Sequence, residues 1–408
     1  MTDSGKLFPC KESWNVDGAQ PHVTPWSPFI ITVFVIGFGL RLFFLFSVPV
    51  GGPSLPGRLS AYNDEAAHAN YVLHILKTGR LPAHVESIQE QNALARAQFE
   101  NYQPPLFYWG VAALCGMLGC HSVDAVTFAG RAVCILIWIG LGFVMFRIAR
   151  LLALNQSAFM AIAAVWALNG TFVRYTVTLS NDALFWLWVG CAVWIAIAAR
   201  TTLNSRRCLL LLGLVSIVGL YTKLTFLLLL PLALFVYDRR NKGKSVAGLA
   251  IIYGMIFLAT LPVWLRNIHE FGGWLPLAAG FGSPVWQVPA LDFLSFAMRS
   301  FVFPWSEFWQ GFIGLLFFLP AWVFLAWSFS VEWKKHRFER QPVFAVVLGL
   351  SLLGFLWLNL RYHQAEARYL FAAWPALCVG FCRLPSLGCR WIFAAAMLLP
   401  YGLLFLPR

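Results

Sequence analysis

The sequence predicts an all-α polytopic membrane protein, and three observations carry that prediction. Sixty per cent of the 408 residues are hydrophobic, and only 12% are charged. A soluble globular protein is roughly half apolar and a quarter charged, so this chain could not keep a soluble surface wet. The apolar residues also gather into runs of about 20, the length that crosses a bilayer as helix. Finally, Lys and Arg cluster in the short connections between runs, where a membrane topology signal belongs. A cytosolic enzyme, a secreted disulfide scaffold and a disordered chain are thereby excluded. The net charge of +13 is not a nucleic-acid signature, because the cations do not form one solvated patch.

About eleven runs qualify as spans: 27–49, 126–147, 154–172, 183–199, 208–221, 224–237, 245–265, 311–330, 342–360, 369–382 and 391–406. Residues 1–26 are polar, carry Lys6 and Lys11, and are followed by no A-x-A cleavage site. They read as a cytoplasmic tail, the first run as an anchor, and 27–408 as one transmembrane domain.

Orientation follows from the loops. One set holds Arg147 and Arg150; Arg200, Arg206 and Arg207; Arg239, Arg240, Lys242 and Lys244; Lys334, Lys335, Arg337 and Arg340; Arg383 and Arg390. With Lys6 and Lys11 this side has seventeen cations against six acids, Asp3, Glu12, Asp17, Asp238, Glu332 and Glu339. It is assigned to the cytoplasm. The alternation then requires residues 50–125 to be one large external loop. The apolar run Leu106–Leu118 must lie on or dip into the outer leaflet as a short helix. The entry Tyr102–Gln103–Pro104–Pro105–Leu106 suits that, since paired prolines open a helix and forbid helix before them.

Within the loop, Glu65–Lys77 reads as an amphipathic helix closed by Gly79 and Pro82. Of the nine cysteines, Cys115 and Cys120 share the loop, where an oxidising compartment permits a bridge. The others read as buried apolar fillers. There is no CxxC and no fixed-period repeat.

Ionisable residues at membrane depth are costly and point to function. Five polar clusters fall on the outer side: Asn63–Asp64–Glu65 with His68, Ser180–Asn181–Asp182, Tyr221–Thr222–Lys223, Arg266–Asn267, and Arg361–Tyr362–His363 with Glu366, Arg368 and Tyr369. Each has a plainer reading. Asn63, Asp64, Asn181 and Asp182 are good helix caps. Lys223 can snorkel, and Arg and Tyr can anchor at an interface. Together, though, they place carboxylates able to act as general base beside cations able to hold phosphate, on one face of an apolar bundle. The combination suggests a lipid-phosphate donor attacked at the outer surface.

Those same pieces, with Tyr102–Gln103–Pro104–Pro105–Leu106, Lys223–Leu224–Thr225 and Glu366–Ala367–Arg368–Tyr369–Leu370, occur in an order that resembles the polytopic glycosyltransferases of the GT-C fold. The likeness is to the branch of protein O-mannosyltransferases and lipid A aminoarabinose transferases, and it covers residues 27 to about 380. It implies a GT-C-like bundle, a polyprenyl-phosphate-linked sugar donor, a glycan, lipid or protein acceptor, and inverting transfer. It implies Asp64 as catalytic acidic residue, with Glu65 and Asp182 beside it. Tyr102, Gln103, Lys223, Arg266, Arg361, His363, Arg368 and Tyr369 become the candidate substrate-binding residues. Where the aminoarabinose branch has a Glu-Lys pair before its turn, this chain has Tyr102–Gln103, and Lys223 is the candidate replacement. No cofactor is required. A divalent metal, Mg or Mn, would have Asp64, Glu65 and Asp182 as its candidate ligands. The expected location is the bacterial inner membrane, with the site facing the periplasm and no nucleic acid involved. A transporter or flippase for a lipid-linked or anionic substrate, or a non-catalytic subunit of this fold, is the alternative.

The topology is tested by cysteine labelling at Ala125 and Asn155. A membrane-impermeant maleimide added to intact cells should reach Ala125→Cys and not Asn155→Cys; the opposite pattern inverts the whole orientation.

Overall fold

The structure, a computed structural model, describes residues 27–48, 63–83, 100–201, 205–236, 242–276, 289–302, 323, 342–361, 367–380, 387–399 and 401. Among them there is helix and no strand. The helices are α1 (Pro28–Ser47), α2 (Asn63–Thr78), α3 (Leu106–Leu118), α4 (Val123–Leu151), α5 (Gln156–Leu168), α6 (Gly170–Tyr175), α7 (Asp182–Thr201) and α8 (Ser205–Thr222). A 3-10 run, Leu224–Val236, precedes α9 (Lys242–Phe271) and α10 (Ala290–Val302). Beyond them come α11 (Pro342–Arg361), a second 3-10 run (Ala367–Ala373), α12 (Trp374–Gly380) and α13 (Leu387–Leu398).

Six of these helices, α1, α4, α7, α8, α9 and α11, are long and apolar enough to cross a membrane. The chain is an integral membrane protein. The expected eleven spans are not met as unbroken helices among the described residues. The run at 154–172 is split into α5 and α6 at Asn169, and the run at 369–382 into a 3-10 turn and α12. The run at 311–330 lies outside the described residues, except for Val323. The 3-10 run from Leu224 is thirteen residues long. At about 2.0 Å per residue it reaches farther than an α-helix of that length would. α3 is also thirteen residues. At about 1.5 Å per residue it is shorter than the hydrocarbon core is thick.

The break at Asn169 exposes the problem every interrupted membrane helix has. Where no water is present, each freed carbonyl needs another donor. Trp138 Nε1 donates to Trp166 O at 3.3 Å, Arg41 Nη1 to Ala167 O at 2.9 Å, and the Tyr401 hydroxyl to Leu168 O at 3.1 Å. On the other side of the break, Asn169 Oδ1 accepts from the amides of Thr171 and Phe172 and so caps α6. Its Nδ2 donates to Phe301 O at the end of α10.

Arg41 is fully buried in α1. Besides Ala167 O, it donates to Gly37 O and to Thr176 Oγ1. Its guanidinium lies 3.8 Å from the Trp138 ring centroid, and Trp138 stacks on Trp166 at 4.5 Å. Gly37 permits the approach: a Cβ there would meet Ala167 O at 2.6 Å.

Around this point the main core joins α1, α4, α5, α7, α8 and the later helices. A second apolar cluster packs α2 and α3 against α4 and the start of α7. α2 and α3 are thereby held at the end of the bundle where α7 begins.

Arg41→Met should orphan the Ala167 carbonyl and cost about 1–3 kcal/mol. Gly37→Ala should destabilise in the same direction by pushing α1 away. Thermal unfolding in detergent reads both, and an unchanged Tm in Arg41→Met would mean the break is satisfied some other way.

Candidate functional site

The site is assembled where α2, α7, α8 and the second 3-10 run meet. Asp182 opens α7, and the segment before it is locked residue by residue. Thr178 Oγ1 donates to Arg174 O, and the Leu179 amide donates to Glu65 Oε1 at 2.9 Å. Asn181 Nδ2 donates to Thr222 O at 2.9 Å and to Gln103 Oε1 at 3.0 Å. These contacts tie the start of α7 to α2, to the end of α8 and to the turn before α3.

Asp182 is paired with Lys223, which follows α8, through Oδ1. Its other oxygen faces Arg368 Nη1 at 3.9 Å. All three side chains are nearly buried, at 7%, 13% and 11% exposure respectively. Aromatic rings line the group. Lys223 Nζ lies 5.8 Å from the Tyr369 centroid and 5.9 Å from that of Phe185. The Arg368 guanidinium lies over Tyr369 and Tyr175 at 4.9 and 5.2 Å, and donates to the Tyr369 hydroxyl at 2.9 Å. Buried Arg174 lies against the same Tyr175 ring. Lys223 and Arg368 both face Asp182, so two cations and a carboxylate meet in a low-dielectric setting. Such a setting favours an anion.

Glu65 is not part of that group. Arg131 Nε and Nη2 grip both its oxygens, at 2.8 and 2.6 Å, in a buried bidentate pair. Arg131 also donates to Val48 O at 2.5 Å, so the pair joins the end of α1, α2, α4 and the segment before α7. Glu65 was expected near the chemistry. With both oxygens taken by Arg131 and one also by Leu179, it is a structural strut.

Arg266 is also placed differently from expectation. It donates to Pro82 O at 2.8 Å, Asn101 O at 2.5 Å and Gln103 O at 3.3 Å. Those carbonyls occupy its fork, so Arg266 clamps the turn at 101–105 and is not poised for phosphate. Tyr71 shares the clamp, donating to Gln103 O at 3.0 Å. Burial pushes the Tyr71 hydroxyl up to about 12, against an opposing pull from Arg266, so it stays a neutral donor at physiological pH. Gln103 Nε2 donates to Glu100 and to the Tyr102 hydroxyl. Tyr102 and Gln103 therefore belong to the network that holds Asn181 beside Asp182.

His68 is buried, with Nδ1 2.7 Å from the Tyr108 hydroxyl, and Tyr108 stacks on Tyr71 at 3.9 Å. Asp64 lies in the first turn of α2, and Arg361 ends α11. The side chains of both, and all of His363, lie outside the described residues. Of the trio expected to hold a metal, Asp64, Glu65 and Asp182, the side chain of Asp64 lies outside the described residues. The other two are bonded to cations, and no cluster of three metal-ligating side chains occurs among the described residues.

The sequence reading missed Arg131, Arg174 and Arg41. Each is a lone cation within or beside an apolar run, which is itself a signal of a buried polar contact.

No family model and no curated protein matches the sequence. Solved structures do match in three dimensions. The chain superposes over 87% of its length on ArnT from Cupriavidus metallidurans bound to undecaprenyl phosphate, at TM-score 0.55 and 15% identity. It superposes over 92% on the Archaeoglobus fulgidus oligosaccharyltransferase in complex with Zn and sulfate, at 0.52 and 14%. A form of that oligosaccharyltransferase tethered to an acceptor peptide gives 0.51 and 12% over 93%. The chain has the GT-C fold. It spans 59% of the ArnT chain and 52% to 55% of the oligosaccharyltransferase chains, and so only part of their length.

Glu65→Gln should leave Arg131 buried with its paired counter-charge gone, destabilising by about 3–5 kcal/mol. A variant that unfolds at the wild-type temperature would show that Arg131 has another partner and that Glu65 is free for chemistry.

Proposed function

We propose that the protein is an integral-membrane glycosyltransferase. It moves a sugar from a polyprenyl-phosphate donor to an acceptor hydroxyl on the periplasmic face, with inversion. The observation that carries this reading is the Lys223–Asp182–Arg368 group, nearly buried, rich in positive charge and set at one end of a GT-C bundle. A lipid phosphate fits it: the chain of the lipid lies along the apolar helices and the charged head reaches the cations. That ArnT is seen bound to undecaprenyl phosphate in the same fold supports the choice of donor.

In the reaction, Asp64 takes the proton of the acceptor hydroxyl as its oxygen attacks the anomeric carbon. The bond from that carbon to the phosphate oxygen breaks on the opposite face. The leaving polyprenyl phosphate is already anionic and needs no general acid. Charge grows on it as the bond breaks, and Lys223 and Arg368 stabilise that charge in place. Asp182 sets the spacing of the two cations and keeps them from repelling each other when the donor is absent. Tyr369 and Tyr175 orient Arg368. Arg361 and His363, close to Arg368 in sequence, are further candidate donor-binding residues. Arg266, Gln103 and Tyr102 hold the turn that positions Asn181. The acceptor is a glycan, a lipid or a protein. The reaction as written needs no divalent metal, since the departing phosphate is already anionic and faces Lys223 and Arg368.

A transporter would show polar groups near the bilayer midplane between repeats. Here Asp182, Lys223 and Arg368 gather at one end, the buried Arg41 and Asn169 contacts satisfy the helix break, and the sequence shows no repeat. A non-catalytic subunit is distinguished by assay alone.

The decisive experiment is mass spectrometry of co-purifying lipids, followed by an assay for polyprenyl phosphate released by the purified protein. Lys223→Ala and Arg368→Ala should each weaken donor binding about 10- to 150-fold, the worth of one charge-assisted contact. Asp64→Asn should leave donor binding near normal and cut turnover by about 10²- to 10⁴-fold. Because Asn caps a helix as well as Asp, a silent Asp64→Asn would assign the residue to capping and remove the proposed base.

A further inference from the structure

α3 ends in a tight cap. Gly119 adopts φ 70, and its amide donates to Cys115 O. The amide of Cys120 donates to the same carbonyl at 2.9 Å. This is the Schellman arrangement, which folds the residue after the left-handed glycine back over the residue five positions earlier. Those two positions commonly hold apolar side chains in contact. Here both are cysteines. Cys115 is buried against α2, and Cys120 is half-buried in the same cluster. His121, Ser122 and Asp124 beside it are exposed, so a soluble reagent can approach Cys120.

We propose that Cys115 and Cys120 are a redox-active pair that closes to a disulfide across the end of α3. The cap supplies the geometry, since it holds the two side chains against each other before any bond forms. The proposal rests on the outward placing of residues 50–125, where thiols meet oxidant, and not on the transferase reading. The co-reactant is an external disulfide. The Cys120 thiol loses its proton and attacks one sulfur of that disulfide, and the other sulfur leaves as a thiolate. The Cys115 thiol then loses its proton and attacks the Cys120 sulfur of the mixed disulfide, expelling the second thiolate. Two cysteines are oxidised, one external disulfide is reduced to two thiols, and the two protons released neutralise them. The closed ring fixes the last turn of α3. The first turn of that helix carries Tyr108, the partner of His68, so the bond stiffens the element that backs α2.

The test uses the full-length protein in detergent, equilibrated with oxidised and reduced glutathione, alkylated, digested and weighed. The peptide holding both residues should lose two hydrogens and resist alkylation. Cys120→Ser should abolish that loss. Gly119→Ala keeps both thiols but strains the left-handed turn, and should shift the balance about tenfold toward the open form. Stable glutathione adducts on Cys120 with Cys115 free, or full alkylation of both at every ratio, would overturn the proposal. In aerobically growing cells quenched with acid, the pair should be closed. If both thiols are free there, the proposal fails, and labelling at Ala125→Cys tells whether the orientation failed with it. Release of polyprenyl phosphate by the reduced protein tests the transferase reading separately.

Discussion

A helix that breaks inside a membrane must find a donor for every carbonyl it frees. In this protein that requirement falls at Asn169, and meeting it draws together parts of the chain that lie far apart. Arg41 comes from the first helix, Trp138 from α4 and Tyr401 from near the carboxy end. An arginine is suited to the role. Its fork reaches Gly37 O, Ala167 O and Thr176 Oγ1 at once, and its flat face rests on Trp138. Replacing it by any apolar residue would leave acceptors unpaired where water cannot reach them. The bundle is therefore closed by polar contacts at its most apolar depth, with the large aromatic core packed around them.

The break also decides where the chain goes next. A continuous helix would have carried residues 170–182 straight on. Instead α6 ends at Tyr175, and the following residues turn across the end of the bundle, where Leu179 meets Glu65 and Asn181 meets Gln103 and Thr222. Two ion pairs result, with opposite characters. Arg131 and Glu65 match one to one with good bidentate geometry, which is how a buried pair repays its desolvation. Lys223 and Arg368 instead converge on one carboxylate, Asp182.

The likeness to ArnT and to the oligosaccharyltransferase at 12% to 15% identity fits this picture. A helical bundle in lipid is specified by pattern: apolar runs, loop charges, a few buried polar contacts and close-packing glycines. Many sequences satisfy that pattern, so the fold persists while most positions change. Chemistry lives in sites grafted on the fold. Under the proposed function, the choice of donor and acceptor would rest on a handful of residues around Asp182.

The sequence by itself determined the membrane class, the helical architecture, the large loop between the first two long spans and the polar clusters from which the site is built. These are statements about composition, period and position, and each is local. α2 and α3 fall where the turn residues Gly79, Pro104 and Pro105 put them. Asp182, Lys223, Arg368 and Tyr369 could be singled out because charge in an apolar setting is conspicuous wherever it falls. What the sequence could not decide was which charge meets which. Glu65 and Asp182 look alike as isolated acids beside helix starts, and Arg266 and Arg368 look alike as cations at helix ends. Only the tertiary structure sends Glu65 to Arg131 and Arg266 to three backbone carbonyls, leaving Lys223 and Arg368 around Asp182. Pairing is set by the packing of helices far apart in sequence, and the Coulomb energy of a charge depends on its neighbours in space and the dielectric around them. Neither is written in any one segment.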